Sequence, residues 1–175
     1  NDFLGAFRKL HRSAQLLFIH PVQSELFNKT VKKRLDEGRL FEPAVGDKYC
    51  TDDAIGFPDL GNAKKIVGEA QADEVAEIIG ERKAVLLANV IGHQTELDDG
   101  EKILLESEGL SRESFKLKSL PELSSKGTAR PLFVFLNGFE ARKTEDGVVV
   151  RFSLPSGSYA TVAINQLLAI NQDVP

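Results

Sequence analysis

Methionine is absent from these 175 residues, cysteine occurs once, and no apolar run approaches the length of a membrane span. Each shortage excludes something. A lone thiol, Cys50, forms no internal disulfide and has no second cysteine with which to build a zinc knuckle, so a structural role is expected for it. The longest clean apolar runs, Leu16 to Ile19 and Leu132 to Leu136, fall far short of the roughly 20 residues a spanning helix needs. No charged-then-apolar leader precedes a small-residue cleavage site, and a cytoplasmic location is expected. Without methionine and opening on Asn1, the sequence is expected to be part of a longer polypeptide.

Charge is nearly balanced, with 22 Lys or Arg against 26 Asp or Glu, but unevenly spread. The net charge is −4, yet up to Leu40 eight Lys or Arg stand against four acids, leaving that stretch at +4 and the remainder at −8. A local basic face can meet phosphates, but the overall sum excludes nucleic-acid binding by bulk charge alone. A hydrophobic content of 42% is enough for one respectable core or two small ones.

What is present reads as an α+β chain. Pro21 to Asp36 carries a helical stripe of Val22, Leu26, Phe27, Val31 and Leu35, with Gly38 placed to end it. Leu16, Leu17 and Ile19 form a separate stripe, and a break between two helices is expected at Pro21 because an internal proline loses a hydrogen bond and clashes with the preceding turn. A punctuated stretch, 39 to 63, surrounds a short strand at Lys48 to Thr51. Strands are predicted at Lys64 to Val67 and Ala84 to Ile91, with a helix at Asp73 to Ile79 burying Val75, Ile78 and Ile79. Two further helices are signalled by Asp98 or Asp99 before Ile103 to Leu105, and by Ser111, Glu113 and Ser114 before Phe115 and Leu117. After the linker Ser124 to Gly127 the texture changes to strands. Pro131 to Leu136 is one. Phe139 to Lys143 and Val148 to Phe152 form a hairpin around Glu145-Asp146-Gly147, and a helix from Ser158 to Ile170 is expected to pack on that sheet.

Most constellations that would carry chemistry are missing. His11, His20 and His93 have no partner at metal-ligand spacing, Ser156-Gly157-Ser158 lacks the flanking glycines of a nucleophile elbow, and no phosphate-loop spacing exists. Neither metal nor cofactor is expected. Asp47, Asp52, Asp53, Asp59 and Asp146 read as loop or turn residues. The remaining candidate is an abrupt strand-to-helix elbow: Pro155 cannot extend a central strand, Gly157 permits positive φ, and Ser158 is predicted to cap the following helix. A helix starting beside a strand end can hold a phosphate or ribose oxygen through its free N–H groups, although a plain connection has the same appearance.

The stretch Leu154 to Thr161, LPSGSYAT, resembles the carboxy-terminal signature of the TruD family of tRNA pseudouridine synthases. Val22 to Asn28, VQSELFN, is similar to the family's Ser-x-Leu-Phe-Asn helix, and Gly127 to Phe135, GTARPLFVF, resembles its Ala-Arg-aliphatic segment; the opening NDFLGAFRKL looks like archaeal-type members. The resemblance implies isomerisation of a tRNA uridine to pseudouridine by base flipping, with no metal or organic cofactor and with tRNA as the partner. It also implies that residues 1–128 are the later part of a helix-rich family-specific insertion. Residues 129–175 would then be the closing antiparallel strands and helix of the catalytic domain. Gly157, Ser158, Tyr159, Thr161 and Arg130 are implied to border the uridine pocket or meet phosphate. Gln23, Ser24, Asn28, Lys29, Lys32 and Lys33 are implied as RNA contacts or structural groups. The family's catalytic aspartate lies in an upstream Gly-x-Lys-Asp motif that this sequence lacks, so no catalytic residue is assigned here and an amino-terminal segment is an expected partner. Asn165-Gln166 stands where relatives carry Arg-Glu, and Pro21, Val22 and Glu25 depart from the signature helix. The alternative expectation is a non-catalytic RNA-binding or interaction module of the same fold.

Overall fold

The structure is a computed structural model, and it describes residues 2–168. Its centre is the strand β3 (Ala84–Val90), the apolar run of the sequence, flanked by β1 (Lys48–Thr51) and β4 (Thr128–Pro131). A two-residue β2 (Lys64–Lys65) completes an antiparallel sheet in the order β2-β1-β3-β4. Alternation along the strands sends Tyr49, Ala84 and Leu86 to one face and Cys50, Val85 and Leu87 to the other. On the first face they meet Ile66, Leu132 and the Ala72, Val75 and Ile79 side of α3 (Glu69–Gly80); on the second they are covered by Ala129, Phe133 and Phe135. Because β3 is central and covered on both faces, it reads apolar without a break.

Two helices precede the sheet, α1 (Phe3–Arg8) and α2 (Arg12–Asp36). Contrary to the expected break, α2 runs uninterrupted through Pro21. Proline deprives the Leu17 carbonyl of its donor, but Leu17 and Pro21 are both exposed, so that carbonyl faces water. The turns on either side are anchored: Gln15 Nε2 donates to the Phe7 carbonyl at 3.0 Å, and Gln23 Nε2 donates to the Ile91 carbonyl at 2.5 Å. The apolar stripe is narrower than predicted. Leu26 and Phe27 are buried and Val31 half-buried, while Val22 and Leu35 are exposed.

A second small core joins Leu26 to Ile91, Leu105 and Phe115. Its helix α4 (Asp99–Ser107) starts at a reciprocal cap: Glu101 N–H donates to Asp98 Oδ1 at 2.7 Å and Asp98 N–H to Glu101 Oε2 at 3.1 Å. The helix expected after Ser111 is only a 3₁₀ turn, Arg112–Phe115, long enough to bury Phe115. Nearby, Gly127 at φ +94° lies against Gly92, and His93 and Gln94 N–H groups donate to the Ser125 and Lys126 carbonyls at 2.8 and 3.1 Å. Added Cβ atoms would lie 2.1 Å from the Gly127 nitrogen for Gly92 and 2.1 Å from Thr95 Oγ1 for Gly127, so side chains are excluded from this crossing.

The predicted strand Pro131 to Leu136 is corrected. Pairing ends at Pro131, and Leu132 makes one further bond to the Leu86 carbonyl at 2.9 Å. The run is apolar because of packing rather than pairing: Leu132 enters the first core, and Phe133 packs tilted against Phe41 and edge-on against Phe135. The hairpin forms as predicted, with β5 (Asn137–Thr144) paired to β6 (Gly147–Ser153) around Glu145 and Asp146. The closing helix α5 (Ala160–Leu167) fully buries no side chain and half-buries Ala163, Ile164 and Asn165, a looser seat than the expected packing on the hairpin. The predicted continuation to Ile170 lies outside the described residues. The architecture is thus α+β.

Candidate functional site

The elbow joins β6 to α5. After Ser153 the ladder stops, and Pro155 opens a turn closed by the Ser158 N–H donating to the Pro155 carbonyl at 3.1 Å. Gly157, third in the turn, has φ +88°, the left-handed value that a type II turn demands at that position. A Cβ on Gly157 would meet nothing within 4 Å, so glycine serves the backbone angle and the space beside it is open.

Ser158 does not cap the helix. An extended residue, Tyr159 at φ −103° and ψ 112°, intervenes, and its carbonyl accepts the Val162 and Ala163 N–H groups at 3.1 and 3.3 Å with no side-chain cap. The Ser158 N–H is spent on the turn, two residues ahead of the first helical one. Ala160 and Thr161, at the first two helical positions, lie ahead of any intrahelical acceptor for their N–H groups. Gly157 and Thr161 are exposed and Tyr159 is 73% exposed, so the corner is not packed shut.

Beneath the elbow, Pro155 lines a small cleft with Asp52, Gly56, Phe57, Phe135 and Asn137. Burial, followed by the neighbouring Asp53 charge, pushes the Asp52 carboxyl up. No sequence signal links Asp52 or Asn137 to this corner, because the strands that bring them together are distant along the chain.

The α2 candidates divide by geometry. Gln23 is buried, and its amide donates to the Ile91 carbonyl and, at 2.7 Å, to Ser125 Oγ. Both its N–H groups are therefore spent on protein. Lys29 bonds Glu108 at 2.7 Å, which holds its ammonium above the ordinary range, and Lys32 bonds Asp36 at 3.0 Å. Ser24 is half-buried and Asn28 exposed; Lys33 has no carboxylate within 4.0 Å among the described residues. Arg34, one residue further along α2, is a structural clasp: it grips Asp47 through two bonds of 2.8 Å and donates to the Glu42 carbonyl at 2.9 Å.

Arg130 is exposed, lies 5.1 Å over the Phe27 ring, and has no ion pair among the described residues. Stacking on an aromatic face leaves the guanidinium edge available to a phosphate. The three stretches singled out in the sequence therefore meet in series. Phe27 of the first touches Arg130 of the second, and Phe135 of the second shares a cleft with Pro155 of the third. No hydrogen bond joins Gly157, Ser158, Tyr159 or Thr161 to α2 or Arg130 among the described residues. Nor do three His, Cys, Asp or Glu side chains come together there as metal ligands.

A family model described as tRNA pseudouridine synthase D (TruD) matches residues 1–167. A "Probable tRNA pseudouridine synthase D" of Thermococcus sibiricus is 34% identical over 168 residues, covering 93% of this chain and 40% of the relative. Its namesake in Methanosarcina mazei is 31% identical over 182 residues, covering 97% of this chain and 41% of the relative. A crystal structure of a tRNA pseudouridine synthase D (TruD) from Methanosarcina mazei superposes with a TM-score of 0.82 at 30% identity, covering 98% of this chain and 42% of that one. The chain thus spans about two fifths of the length of the relatives it matches.

Proposed function

The chain belongs to the TruD family of tRNA pseudouridine synthases, and from that premise we propose that it works as part of an enzyme converting uridine to pseudouridine in tRNA. In the proposed reaction the uridine is flipped out of its stack, the bond from N1 to the ribose breaks, C5 bonds the ribose carbon and releases its hydrogen to solvent as a proton, and N1 takes up a proton. The elbow Gly157 to Thr161 forms one wall of the uridine pocket, offering N–H groups and an exposed tyrosine face. Arg130, stacked on Phe27, meets backbone phosphate. The nucleophilic aspartate comes from a Gly-x-Lys-Asp segment not contained in these 175 residues. Residues 1–128 act as the later part of the family insertion and 129–175 as the end of the catalytic domain, the chain crossing between them through β4, which stays bonded to β3. Action in the cytoplasm, where tRNA is met, belongs to the same proposal.

The observation that supports this reading is the open corner at Gly157, exposed and with nothing within 4 Å of a Cβ placed there. The test is tritium release from tRNA labelled at uridine C5, with the full-length protein from the natural gene. Release is expected, and it should vanish when the Gly-x-Lys-Asp aspartate becomes Asn. RNA binding without release, in a protein that carries the motif, would refute the enzyme and favour a non-catalytic RNA-binding module.

A further inference from the structure

The elbow has little of its own to hold it. On its far side α5 fully buries no side chain, only half-burying Ala163, Ile164 and Asn165, and on its near side the hairpin is largely exposed on both faces. Its position relative to the main sheet therefore depends on the base of the hairpin. There the Asn137 side-chain amide donates to the Gly56 carbonyl, 81 residues away in sequence. Asn137 is also the ladder partner of Ser153, the last residue of β6 and two positions before Pro155.

Gly56 is itself fixed. Its N–H donates to the Asp53 carbonyl at 3.1 Å, closing a turn in which Asp53 Oδ1 accepts from Ile55 and Phe57 N–H groups at 2.9 and 3.0 Å. That loop is tied to the main sheet by Asp52 N–H donating to the Lys83 carbonyl and Asp59 N–H to the Thr51 carbonyl, both at 3.0 Å. One residue beyond Asn137 the ladder is irregular. Gly138 has φ +60°, and the pairing register shifts between Asn137 and Glu140, so one extra residue sits in β5 as a bulge.

We propose that Asn137 is a positioning residue: by donating to the Gly56 carbonyl it fixes the hairpin base, and with it the elbow, against the four-stranded sheet. The hydrogen bond joins the Asp53 loop to the first residue of β5, whose ladder partner Ser153 ends the strand that leads into the elbow, and Pro155 seats in the cleft that Asn137 and Gly56 both line. The proposal rests on the reading of the elbow as a wall of the uridine pocket, where a displacement near 1 Å is costly to the reacting geometry.

The experiment compares Asn137→Ala, Asn137→Asp and Asn137→Gln in the full-length protein from the natural gene. Asn137→Asp keeps the shape and removes the donor; Asn137→Gln keeps the donor. Amide hydrogen exchange across residues 154–161 should quicken roughly two- to tenfold in the Ala and Asp variants, the range expected for one lost hydrogen bond, and less in Gln. Exchange across 84–90 should be unchanged. On tRNA labelled at uridine C5, kcat should fall by a similar factor with KM nearly constant. Unchanged exchange at 154–161 in Asn137→Asp overturns the proposal, as does equal loosening of 84–90, which would make Asn137 a general stability residue. If Asn137→Ala does not fold, Asn137→Asp against Asn137→Gln decides alone. Should the parent protein release no tritium, the enzymatic reading fails, while the exchange comparison still judges the clasp.

Discussion

Replacing Gln23 by Met tests how the family-like helix is used. The two side chains have nearly the same length and volume, so the substitution removes hydrogen bonds without opening much of a cavity. Two bonds are lost, of 2.5 Å to the Ile91 carbonyl and 2.7 Å to Ser125 Oγ. Each contributes about 0.5–1.5 kcal/mol net, and a buried carbonyl left without a donor costs about 1–3 kcal/mol. Ile91 is 1% exposed, so water cannot take over there, whereas Ser125 is half-buried and its hydroxyl can turn. The expected loss is about 2–4 kcal/mol of unfolding free energy, dominated by the Ile91 carbonyl. With a urea slope of about 2–3 kcal/mol per molar for a chain of this size, the midpoint should fall by about 1 M. The sequence has no tryptophan, so the titration is followed by circular dichroism at 222 nm. A midpoint shift under about 0.2 M, with the slope unchanged, would refute the structural role and return Gln23 to the candidates for RNA contact.

Three other perturbations follow from single sites. Gly127→Ala forces a Cβ to within 2.1 Å of Thr95 Oγ1 and 3.0 Å of the Gly92 nitrogen at φ +94°, and should cost more than about 3 kcal/mol; Gly38→Ala, at φ +70° in open space, should cost about 1 kcal/mol, and equal thermal shifts would contradict the crossing. Burial, more than any other cause, raises the Glu101 carboxyl above its ordinary range, so the folded chain binds this proton more tightly than the unfolded one and its contribution to stability falls as pH rises through the raised value. The stability of Glu101→Gln relative to the parent should therefore improve from about pH 4 to pH 7 by urea titration, and a flat or opposite trend would contradict it. Cys50 is fully buried and its thiol is pushed up to about 11 by burial, then by Asp52 and Asp59. A disulfide reagent at pH 8 should label it only as fast as the sheet opens, slowing with any stabilising substitution, and prompt labelling of the native protein would refute this.

Local elements could be read from the chain because their causes are local. Lys48 to Thr51 carries the strand-favouring Tyr49 and Thr51, Glu145-Asp146-Gly147 closes a hairpin between neighbours, and the cap between Asp98 and Glu101 spans three residues. The elbow was legible for the same reason, since its turn is made by Pro155, Gly157 and Ser158 themselves. Ser158 as the cap was misread because nothing nearby signals that Tyr159 stays extended. The lysine row looks alike from end to end, yet Lys29 is matched with Glu108, just past the end of α4, while Lys33 has no such partner among the described residues.

The sequence by itself determined the α+β character, the family resemblance and the turn that makes the elbow, all set by interactions a few residues long. Only the tertiary structure decided that α2 passes through Pro21, that residues 132–136 pack instead of pairing, and that Gln23 and Asn137 find carbonyls 68 and 81 residues away. The physical reason is that a buried donor must be matched with an acceptor. Which acceptor lies within reach is settled by how the sheet and helices pack, not by the residues next to it in the chain.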